Sequence, residues 1–126
     1  MQENTHPAFD LAHIADQWGS PADDIYQTVL GIFAEEGTKL CDDARTALAK
    51  DQRQALERAA HTLKSAAANV GAVHLSRCAR ALEEAARTAE ITELAPLLAR
   101  IETAWAEVSL RIADGGPAAE ELARNG

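Results

Sequence analysis

The chain has 126 residues and carries 12 Lys and Arg against 20 Asp and Glu, a formal charge of -8. That field repels nucleic acid and anionic membrane surfaces, so neither is expected as a partner. With 47% hydrophobic residues, only 4% aromatics and no Val/Ile/Thr-rich alternating run, the composition predicts a single all-α domain with a sizeable core.

The N-terminus MQENTHPAFD has neither a basic segment nor an apolar one, and residues 1–8 are expected to be flexible. No apolar run approaches the roughly 20 residues that span a bilayer, so a cytoplasmic address is expected. Phe9, Leu11, Ile14 and Trp18 then mark a short amphipathic helix, capped by Asp10 and ended by Gly19. Ser20-Pro21 reads as the N-cap and first position of a long helix, with Asp23 and Asp24 at the positive end of its dipole. Its apolar stripe reads Ile25, Val29, Ile32 or Phe33, Leu40, Ala44 and Leu48, weakened by Gly31 and Gly37.

Asp51 is the expected cap of a second long helix running to about Val70, where Gly71 supplies a left-handed terminus. A third helix from Val73 carries Leu75, Cys78, Leu82, Ala85 and Ala89. A fourth from about Thr92 carries Leu94, Leu98, Ile101, Trp105, Val108 and Ile112, with Pro96 in its first turn. Asp114-Gly-Gly-Pro ends it, leaving 114–126 as a C-terminal tail, frayed or forming a loose extra turn. The expected fold over 9–113 is an antiparallel up-down-up-down four-helix bundle with a short accessory N-terminal helix. Cys41 and Cys78 fit buried free thiols, since no CxxC or neighbouring His cluster suggests a metal.

On the second long helix, Leu56, Ala59, Leu63, Ala66, Ala67 and Val70 gather within roughly 60° of one direction, at about 100° per residue. His61 points the opposite way, flanked by Gln54, Glu57, Arg58, Lys64, Ser65 and Ala68. A histidine there is not needed for the fold, and Ser65 and Ala68 are too small to shield it. A second protein can approach closely.

The stretch His61-Thr-Leu-Lys64-Ser-Ala-Ala-Ala-Asn69-Val-Gly71-Ala, followed by Leu75, Cys78 and Leu82-Glu83, resembles the histidine-containing phosphotransfer (HPt) domains of bacterial phosphorelays. That family commonly reads His-x-Leu-Lys-Gly-x-x-x-x-x-Gly; this chain has Ser65 where glycine is commonest. The resemblance implies that His61 accepts a phosphoryl group from a receiver phospho-aspartate through Nε2 and passes it to another receiver. The receiver would supply its own Mg²⁺, with no cofactor or metal in this chain. Consistently, no GxxxxGK[ST] loop for ATP is present.

Lys64, one turn along, is expected to reach the incoming phosphoryl oxygens, a contribution of about 0.2–1 kcal/mol for exposed charges. Gln54, Glu57, Arg58, Ser65 and Ala68 would form the docking face, with Arg77 and Arg80 more simply read as solvated charge. Asn69 and Gly71 are assigned structural roles. His74 is expected at the surface, His6 in the flexible end and His13 on the short helix. The pairs Glu35-Glu36 and Glu83-Glu84 read as solvated charge, because adjacent helical residues do not face each other. A di-iron bundle is disfavoured by the lack of a second Glu/His pair. The alternatives are an HPt-like adaptor that binds a receiver or kinase without being phosphorylated, and a kinase dimerisation module. The latter would need an ATP-binding domain and a dimer seam, and a monomer is expected.

Overall fold

The computed structural model describes residues 6–125, which form six α-helices and no strand. They are α1 (Leu11–Trp18), α2 (Asp24–Ala49), α3 (Arg53–Asn69), α4 (Val73–Ala85), α5 (Ile91–Ala113) and α6 (Gly116–Asn125). Helices α2 to α5 pack in a ring, α2 on α3, α3 on α4, α4 on α5 and α5 back on α2. No helix among the described residues is long and apolar enough to cross a membrane.

Asp10 caps α1 by accepting the His13 amide at 3.1 Å, and Gly19 ends it at φ +83°. The start of α2 lies beyond Ser20. The Asp23 carboxylate accepts the Ile25 and Tyr26 amides, both at 2.9 Å, and is therefore the cap. Ser20 and Pro21 form the preceding turn, closed by the Asp23 amide on the Ser20 carbonyl.

The buried stripe of α2 is Tyr26, Leu30, Phe33, Gly37, Cys41, Ala44 and Ala47, while Ile25 and Ile32 are 66% and 52% exposed. Phe33 and Ala44 of the predicted stripe are buried, and Val29, Leu40 and Leu48 pack against the core, but Ile25 lies outside it because small residues occupy several core positions. At Gly37 the Trp105 ring occupies the space of a side chain, and an added Cβ would lie 2.1 Å from it. Trp105 in turn meets Phe33 edge-on at 5.3 Å.

Gln52, not Asp51, stands at the N-cap of α3, and Asp51 adopts φ +53°. Arg53 donates to the Ala86 and Ala89 carbonyls at 3.0 and 2.7 Å, tying the start of α3 to the end of α4. Helix α5 begins at Ile91, so Pro96 is its sixth residue rather than part of its first turn. Its missing N–H frees a carbonyl at Thr92, which is on the exposed side.

At the other end of α3, four successive carbonyls have partners from outside the helix. His13 Nε2 lies 3.1 Å from the Ala68 oxygen, Trp18 Nε1 donates to Asn69 at 2.9 Å, the Tyr26 hydroxyl to Val70 at 2.7 Å, and the Asp10 amide to Gly71 at 2.9 Å. The first residues of the fold thus act as a lid on that end. Burial, with Glu120 nearby, pushes the Tyr26 phenol above its ordinary range, so it stays protonated and donates. Tyr26→Phe is expected to cost about 1–3 kcal/mol, because the Val70 carbonyl would be left buried without a donor. A denaturation midpoint unchanged within error would show that water replaces the phenol.

The segment predicted as a frayed tail or loose extra turn is the ten-residue helix α6, with Gly116 and Pro117 buried. Gly115 and Gly116, at φ +105° and +71°, turn the chain back so that Gly116 approaches Leu30. Residues 1–5 of the predicted flexible end lie outside the described residues; Ala8 and Phe9 are buried, and the His6 ring stacks on that of His74 at 4.1 Å. Cys41 is buried and its thiol pushed up to about 11, whereas Cys78 is only half-buried.

Candidate functional site

Helices α3 and α4 run antiparallel about the turn at Val70–Ala72, and the side chains that bridge them follow from that geometry. Arg87 Nε meets Glu57 Oε1 at 2.6 Å and His61 Nδ1 meets Glu83 Oε2 at 2.7 Å, both pairs being centred on residue 72. The Ser76 hydroxyl donates to the Lys64 carbonyl at 2.8 Å and fixes the two helices closer to the turn.

His61 projects outward from α3, its side chain 58% exposed. Glu83, by contrast, is only 19% exposed and joins two groups of the facing helix. Its Oε2 contacts the imidazole and its Oε1, shut off from solvent, lies 2.7 Å from the Lys64 ammonium. Lys64, with His61 adding to it, holds the Glu83 carboxyl below the usual carboxylate range. An ionised carboxylate only accepts hydrogen bonds, so Nδ1 carries the ring proton. The Nε2 lone pair is then left available on the outer edge of the ring.

Glu83 is therefore not solvated charge, as adjacency to Glu84 had suggested. Glu84 does fit that description, being exposed and paired with Arg80 at 3.1 Å. Spacing along α4 alone cannot separate the two, because the partners of Glu83 come from α3. Lys64 is likewise tied to a carboxylate rather than standing free one turn from the imidazole.

The other predicted face residues divide between two sides of α3. Glu57, Ser65 and Ala68 line an open groove toward α4, together with Arg77 and Arg80. Arg58 lines a separate groove toward α2, beside Asp43 and Thr62, and Gln54 is exposed in the first turn of α3. Ser65 is exposed and Ala68 half-buried, so no bulky side chain at these positions covers the ring.

His74 has a different setting from the expected surface one. It is half-buried beneath His6, with Nε2 3.7 Å from Cys78 Sγ, and burial, with His6 and Arg77 near it, lowers its affinity for a proton. Glu35 and Glu36 are exposed surface groups of α2. Among the described residues, no group of three or more His, Cys, Asp or Glu side chains is arranged to hold a metal ion.

The geometry can present a nucleophilic nitrogen, with its tautomer fixed from behind, to a second molecule. Comparison with known proteins bears on which molecule that is. A family model described as "Hpt domain" matches residues 28–111. No curated protein and no solved structure matches.

Proposed function

The chain belongs to the Hpt-domain family, and from that premise we propose that His61 is the phosphoryl-accepting residue of a multistep phosphorelay. Hpt domains carry phosphoryl groups in two-component signalling, interact with receiver domains and are not kinases. The observation that carries the assignment to His61 is its exposed imidazole with Nδ1 held by Glu83. The scaffold is read as the family's up-down-up-down bundle of α2 to α5, acting as a monomer in the cytoplasm.

In the proposed step the Nε2 lone pair attacks the phosphorus of a receiver aspartyl phosphate in line. The N–P bond forms as the P–O bond breaks, and its electron pair leaves with the aspartate. Positive charge develops on the ring, whose proton remains on Nδ1 facing Glu83. The carboxylate stabilises that charge much as a buried aspartate does in a hydrolase triad. The receiver contributes its aspartate and Mg²⁺, and the reverse step delivers the phosphoryl group to a second receiver. Glu57, Ser65 and Ala68 form the docking rim on the α4 side, Gln54 and Arg58 on the other.

A receiver phosphorylated with labelled phosphate in the presence of Mg²⁺ is expected to pass label to this chain, in a form labile to acid and stable to base. Receivers that bind without passing label, across a wide panel, would replace this reading with that of a non-phosphorylated adaptor.

A further inference from the structure

We propose that Lys64 acts on phosphotransfer through Glu83: its ammonium offsets the carboxylate that holds His61, instead of contacting the phosphoryl group. Lys64 is thus a positioning residue, and the inference rests on the phosphotransfer reading of His61.

Three observations support it. The Lys64 ammonium lies 2.7 Å from Glu83 Oε1, and that oxygen is closed to solvent, so the two charges are held together on the inner side of the site. The Lys64 side chain is only 30% exposed, against 58% for His61. Of the charges around it, Glu57 pairs with Arg87, Glu84 with Arg80, and Asp43 of α2 with Lys39, while Arg77 and His13 line the same groove as Glu83. Arg58 faces the opposite groove. Lys64 is the cation paired with Glu83.

A carboxylate behind the nucleophile has opposing effects. It stabilises the positive ring formed on attack, but it also favours a doubly protonated ring, which has no lone pair to attack with, and it repels the arriving phosphoryl group. A cation on its far oxygen moderates the second and third effects while leaving the Nδ1 hydrogen bond in place. Removing Lys64 leaves Glu83 uncompensated, which favours the doubly protonated ring over the one with a free lone pair. Raising the pH restores the lone pair. Loss of a direct contact between ammonium and phosphoryl group would instead slow transfer at every pH, with or without a charge on the side chain behind the ring.

The test is a double-mutant cycle of Lys64→Ala with Glu83→Gln, since glutamine still offers an oxygen to Nδ1–H but carries no charge. With Glu83 present, Lys64→Ala is expected to move the rising limb of the pH–rate profile up by about one unit, so that transfer slows about tenfold at a pH on that limb and little on the plateau above it. In the Glu83→Gln background, Lys64→Ala is expected to change the rate less than about twofold and not to move the limb. Equal losses in the two backgrounds with unmoved profiles would overturn the proposal in favour of a direct contact. A second arm needs no receiver: nitrogen NMR of the His61 ring should show its protonation midpoint rising on Lys64→Ala only where Glu83 is present. A midpoint unmoved there also overturns the proposal. Because that arm reads the coupling in the unphosphorylated protein, failure of the coupling is distinguished from failure of His61 to accept phosphate.

Discussion

Replacing His61 by glutamine is expected to reduce acid-labile, base-stable labelling to below about 1% of wild type, because an amide nitrogen has no lone pair free to attack phosphorus. Stability should change by no more than about 0.5 kcal/mol, since the side chain is 58% exposed and a glutamine can still donate to Glu83. Helical circular dichroism and the denaturation midpoint check the fold, and labelling checks the chemistry. Label persisting in the variant, or mapping to His74, would refute the assignment. His74 is the relevant competitor because it is the other histidine on the α3/α4 hairpin, yet it lies half-buried beneath His6.

Gly71→Ala is expected to destabilise the fold by about 2–5 kcal/mol, from two separable causes. The residue sits at φ +85°, which costs an L-residue about 1–2 kcal/mol. An added Cβ would also lie 2.4 Å from Ile14 Cγ1, and Ile14 is fully buried, so the methyl would overpack α1 against the turn by about 1–3 kcal/mol. Gly19 separates the causes: it has φ +83° but nothing within 4 Å of its added Cβ, so Gly19→Ala should show the backbone cost alone. Urea midpoints at unchanged slope measure both. Equal losses for the two variants would show that Ile14 yields without cost.

Much of this architecture was legible because large apolar side chains at helical spacing leave few alternatives. The turn at Gly71, the start of α4 at Val73 and the outward direction of His61 all follow from that pattern. In α2 the pattern holds for Phe33 and Ala44 but not for Ile25, which is exposed, and it is silent on Gly37, Cys41 and Ala47, whose small side chains fill core positions. Asp23 displaced Ser20 as the cap because its carboxylate reaches two amides at once. The C-terminal helix was hidden behind the Gly115-Gly116 turn, which looks like an ending until Gly116 and Pro117 are seen packed.

Glu83 reads as solvated charge when α4 is taken alone, yet the sequence holds a signal for its role. An antiparallel helical hairpin centred near residue 72 places residues equally distant from that centre opposite one another. Glu57 with Arg87, and His61 with Glu83, satisfy this condition. Folding the sequence back on itself about residue 72 selects Glu83 from the adjacent acidic pair. Reading each helix separately could not.

The four engaged carbonyls of residues 68–71 also matter for an anionic visitor. A bare helix terminus concentrates partial negative charge on its last oxygens, amounting to about half an electron, and that fringe would lie near Ala68 on the approach to His61. Donors from His13, Trp18, Tyr26 and Asp10 turn positive hydrogens toward those oxygens. The N-terminal segment therefore softens an electrostatic barrier that α3 alone would raise against an incoming phosphate.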